Sequence, residues 1–105
     1  MRVLSGEKVI DKFSHDSYIY ANNKEFSIHN IINDQTLFSF THYNINLVAG
    51  DVNYIYVVIN KTTLQQYHLQ TATLVQSRDL LREITQIIPI LDKYVIIKFV
   101  GHFCI

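Results

Sequence analysis

At 105 residues, with nine basic against nine acidic side chains, the chain suits one small domain and lacks the excess positive charge that phosphate neutralisation requires, so nucleic acid is disfavoured as its main ligand. It is 49% apolar and 17% charged, which excludes a disordered polymer. Cys104 is the only cysteine, which excludes an internal disulfide and a cysteine zinc cage and points to an intracellular, reducing compartment, cytoplasm or nucleus.

Met1 to Gly6 turns charged before any apolar run of signal length, so no secretory leader is expected. No apolar run reaches the roughly 20 residues of a membrane-spanning helix. Val9 to Phe13 reads as the first strand, followed by a turn at His15-Asp16-Ser17, where short polar side chains bond the local backbone. Tyr18 to Ala21 is the second strand. Asn22-Asn23-Lys24 is a hairpin turn, asparagine being tolerant of left-handed dihedrals. Glu25 to Ile31 alternates polar and apolar, the pattern of a half-buried strand, and Thr36 to Phe40 is the fourth. The order then recurs: Ile45 to Ala49, a turn at Gly50-Asp51, Tyr54 to Ile59, a turn at Asn60-Lys61, Thr63 to Leu69, and Thr73 to Val75. A third series runs Ile84 to Ile90, a turn at Asp92, Tyr94 to Val100, a turn at Gly101, and His102 to Ile105.

Each series carries an acidic turn, a tyrosine and an apolar run. Tyr18, Tyr54 and Tyr94 are 36 and 40 residues apart, a spacing typical of repeat architectures. The expectation is a mainly β chain of antiparallel four-stranded meander units, at about 7–40, 45–76 and 84–105. One stretch is ambiguous. Leu80, Leu81, Ile84, Ile87, Ile88 and Leu91 fall at helical spacings, so a helix near 78–88 in a compact α+β domain is the alternative, opposed by the β-branched residues from Ile84 to Ile90.

The four-strand unit with an aspartate turn before its second strand resembles a WD40-type β-propeller blade, over about two and a half blades. The aromatic-plus-aspartate pair that closes the third strand in that family matches Ile28-His29, Tyr67-His68 and Phe103-Cys104. The apolar half is kept and the aspartate is not; tryptophan is absent from the chain. The resemblance implies a partial propeller, and propellers close with about four to eight blades. The chain is then either the start of a longer protein or a piece completed by partner chains or by oligomerisation.

Five histidines suggest metal binding, with His102 and Cys104 the best local pair, but no four-ligand spacing accompanies them and no metal or other cofactor is expected. His29 and His68 fall at matching repeat positions, which suggests structural roles. Asp16, Asp51 and Asp92 read as turn residues rather than catalytic carboxylates, and Cys104 as an inert thiol in an apolar run. Tyr18 with Tyr20, and Tyr54 with Tyr56, share strand faces that are either inter-unit core or binding surface. Ile19, Ile28, Ile55, Val57 and Val95 are the expected core. No catalytic spacing is visible. The functional expectation is a non-enzymatic interaction scaffold or complex subunit, with His102, Phe103, Cys104 and Ile105 as the candidate partner-binding edge. The alternative is a self-contained α+β ligand-binding domain or an enzyme with a site assembled from distant residues.

Overall fold

The computed structural model describes residues 2–3, 9–14, 16–50, 53–90 and 94–100. The described residues form eleven strands and no helix. Strands β2 (Val9–Ser14), β3 (Ser17–Ala21), β4 (Glu25–Asn30) and β5 (Thr36–Thr41) make one antiparallel meander. A second comprises β6 (Ile45–Gly50), β7 (Tyr54–Ile59), β8 (Thr63–His68) and β9 (Leu74–Asp79), with the short β1 (Arg2–Val3) added beside β6. The third unit shows two strands, β10 (Ile84–Ile90) and β11 (Tyr94–Phe99). This is the architecture of partial propeller blades.

The helix near 78–88 that the alternative reading required does not form. Leu74 to Asp79 pairs with β8, and Ile84 to Ile90 pairs with β11. The helical spacing was a coincidence of two different environments: Leu81 is 82% exposed at φ 62°, whereas Ile84 and Ile87 are buried. The β-branched side chains of β10 fit a pleated surface, where their restricted rotamers cost little. The α+β alternative falls with that helix.

The units stack face to face around two cores. Ile19, Ala21, Phe26, Ile28 and Phe38 of the first unit meet Ile45, Val48, Ile55, Val57 and Ile59 of the second. Leu47, Ala49, Tyr56 and Val58 of the second meet Ile84 and Ile87 of the third, with Val95, Ile97 and Phe99 packed against them. Strand β7 therefore buries both faces, which is why Tyr54 to Ile59 reads as a continuous apolar run rather than an alternation. Of the expected core residues, Ile19, Ile28, Ile55 and Val57 are buried, and Val95 is half-buried at the margin of the second core.

Backbone hydrogen bonds define the repeat better than the tyrosines do. Ile45 N–H donates to Asn23 O and Ile84 N–H to Lys61 O; His42 N–H donates to Lys24 O and Leu80 N–H to Thr62 O. Asp34 N–H donates to Asn30 O and Ala72 N–H to His68 O, with Asp34 and Ala72 both left-handed at φ 58° and 57°. Ile31 N–H donates to Asp16 O and Leu69 N–H to Asn53 O. These equivalences match Asn30 with His68, so His29 corresponds to Tyr67 and not to His68. They match Asp16 with Asn53, so Tyr18 corresponds to Ile55 and not to Tyr54. The side-chain period in a strand is two, so a slip of one residue reverses the face. That reversal decides where the tyrosines point.

Candidate interaction faces and sheet edge

Tyr54 and Tyr56 lie on the face of the second unit that meets the third, Tyr56 buried and Tyr54 packed at its margin. Tyr18 and Tyr20 lie on the opposite face of β3 from the buried Ile19 and Ala21, and Tyr20 is 37% exposed. The two tyrosine pairs that sequence spacing treated as equivalent are thus core in one unit and surface in the other.

Two unit faces are open among the described residues. Cross-strand partners share a face, so the outer face of the first unit carries Ile10 with Tyr20, Lys12 with Tyr18, Tyr18 with His29, and Ser27 with Ser39. The outer face of the third unit carries Gln86 with Lys98, Ile88 with Ile96, and Ile90 with Tyr94. Tyr94 is 68% and Ile96 44% exposed there. Strand β11 pairs with β10 on one side and with no other described strand, leaving an edge of the kind that accepts an added strand. Beside that edge runs a groove of about 290 Å³, bounded by Leu64, Gln66 and Arg78 of the second unit and Val95 and Ile97 of β11. The candidate edge residues His102, Phe103, Cys104 and Ile105 lie outside the described residues, as do the turns at Asp51 and Asp92.

The outer face of the first unit also gathers a polar group that sequence reasoning missed. Ser27 Oγ lies 2.7 Å from His29 Nε2, and His29 Nδ1 lies 3.4 Å from Thr36 Oγ1 and 4.0 Å from Asp34 Oδ1. Tyr18 stacks on the His29 ring at 5.1 Å and donates its hydroxyl to Asp34 Oδ1 at 2.5 Å. Acceptance by Asp34 raises the Tyr18 phenol above its ordinary range, burial and the carboxylate charge adding to the effect. The order serine, histidine, aspartate is that of a nucleophile with its base and orienting acid. The geometry departs from that assignment. The carboxylate is engaged by Tyr18, its distance from His29 exceeds a hydrogen bond, and Ser27 sits mid-strand between Tyr20 and Ser39, where the backbone amides serve the ladders rather than an oxyanion. The cluster ties the β4–β5 turn to β3. The signal that could have found it is the i, i+2 spacing of Ser27 and His29 on one strand face.

Among the described residues no group of three or more histidine, cysteine, aspartate or glutamate side chains could hold a metal ion. No helix there is long and apolar enough to cross a membrane. His68 Nδ1 is buried without a hydrogen-bond partner, its ring set edge-on to Tyr54 at 5.7 Å.

No family model matches the chain, and no curated protein matches it. Among solved structures it is similar to Kluyvelomyces marxianus Hsv2, a β-propeller protein, with a TM-score of 0.63 and 12% identity over 93% of this chain. The chain spans 33% of the length of that structure. The likeness shows a propeller-like fold.

Proposed function

We propose that the chain is a non-enzymatic interaction scaffold or subunit, made of WD40-type units that dock on other protein chains through an open sheet edge and open unit faces. The observation that carries this reading is β11: Val95, Ile97 and Phe99 pack inward, while Ile96, Tyr94 and the outer edge of the strand face no other described element. A half-covered apolar strand of this kind recruits a partner strand or aggregates. The WD40-type reading is supported by the two four-strand antiparallel units. Balanced charge supports protein rather than nucleic acid as the partner, and the single cysteine supports an intracellular, reducing location with no cofactor.

Deleting residues 102–105 tests the reading. The expected result is loss of partner binding or a changed oligomeric mass in light scattering, with the first unit still folded by circular dichroism. Associations that survive the deletion intact, or a turnover that follows substitution of Ser27, His29 or Cys104, would overturn it.

A further inference from the structure

We infer that the partner for the open face of the third unit is a second copy of this chain, docked head to tail: β10 and β11 of one copy stack on β2 and β3 of the next. The inference rests on the scaffold reading and names its partner.

The stacking operator is already present twice in the chain. The first unit's inner face meets the second, and the second unit's opposite face meets the third. The positions used are the same ones. Tyr18 and Tyr20 occupy the places of Ile55 and Val57, which in the second unit face the preceding unit. Tyr94 and Ile96 occupy the places of Tyr54 and Tyr56, which face the following unit. The two open faces are therefore the two halves of the contact that the chain makes internally.

Their composition fits that pairing. On β2 and β3 the outer face of the first unit carries Ile10, 67% exposed, beside Tyr20, and Lys12 beside Tyr18. On β4 and β5 it carries Ser27, His29 and Ser39, with Leu37 exposed beside them. Tyrosine in place of the aliphatic residues is what a face needs if it is to be wet before assembly and dry after it. A front-to-back contact is heterologous and closes into a ring when its rotation permits.

Light scattering on the full chain should give a multiple of the 12.3 kDa chain mass, falling to the chain mass with Ile96→Asp while the β spectrum persists. Two single-cysteine chains on a Cys104→Ala background, Tyr20→Cys and Ile96→Cys, should cross-link to each other when mixed under oxidation. Neither should cross-link alone. A monomer at all concentrations, or a dimer in which Ile96→Cys cross-links to itself, overturns the inference. A monomer that still binds another protein overturns it and leaves the scaffold reading standing, whereas turnover following Ser27→Ala removes the scaffold reading itself.

Discussion

Ala72 holds a left-handed backbone at φ 57° with a side chain that gains nothing from it. Asp34 at the equivalent turn accepts the Tyr18 hydroxyl, so its side chain offsets the same conformation. The Cβ penalty in this region is about 1–2 kcal/mol, and glycine gives back part of the gain through its freer unfolded chain. Ala72→Gly should therefore raise stability by up to about 1 kcal/mol, read as a higher urea midpoint at an unchanged slope. Tyr67 shows a second single-residue effect. Burial pushes its phenol above the ordinary value, and its hydroxyl donates to Gln65 Oε1 at 2.8 Å. The unfolded chain loses this proton at lower pH than the folded one. Its contribution is thus complete below about pH 10 and declines as pH rises through the folded value. Urea midpoints should fall between pH 9 and pH 11, and less steeply in Tyr67→Phe. An equal fall in both proteins would place the titration elsewhere.

The strands were legible because their side chains obey the two-residue period and their turns use asparagine and aspartate. Tyr54 to Ile59 and Ile84 to Ile90 have the bounds read from sequence, and β4 differs from its expected span by one residue. Register and facing were less legible. The tyrosines repeat at 36 and 40 residues, while the turn-to-strand hydrogen bonds repeat at 37 to 39, and only a backbone bond can tell which residue is equivalent. The serine–histidine cluster was invisible because its members come from three strands and a turn. Strand β6 yields a sharper test. A Cβ at Gly50 would run into the Phe13 ring, which packs against the first core, so Gly50→Ala should cost about 1–3 kcal/mol by overpacking. Truncating Ile28 or Ile55, both fully buried in that core, should cost about 2–5 kcal/mol each. Unchanged melting at both sites would mean that neither side chain is packed in that core.

At the scale of the whole chain, three units share two cores and, among the described residues, leave one face open at each end of the stack. Such an array is stabilised by contacts between neighbours more than by any unit alone. Hydrogen exchange should show this directly: the amides of Ile45 and Ile84, which cross from one unit to the turn of the one before, should be protected more strongly than the amides of the exposed outer strand β9. Those two crossing bonds also have a direction. Asn23 offers its carbonyl to a residue 22 positions later, and Lys61 to one 23 positions later, so each acceptor is made before its donor. A ribosome releases the chain in that order. The first meander can close its hairpin and present the landing point while the start of the second is still being joined, and the second can do the same for the third. Loops this short cost little entropy to close. Birth order and folding order coincide, and a lesion in the Asn22–Lys24 turn would be felt one unit downstream of where it lies.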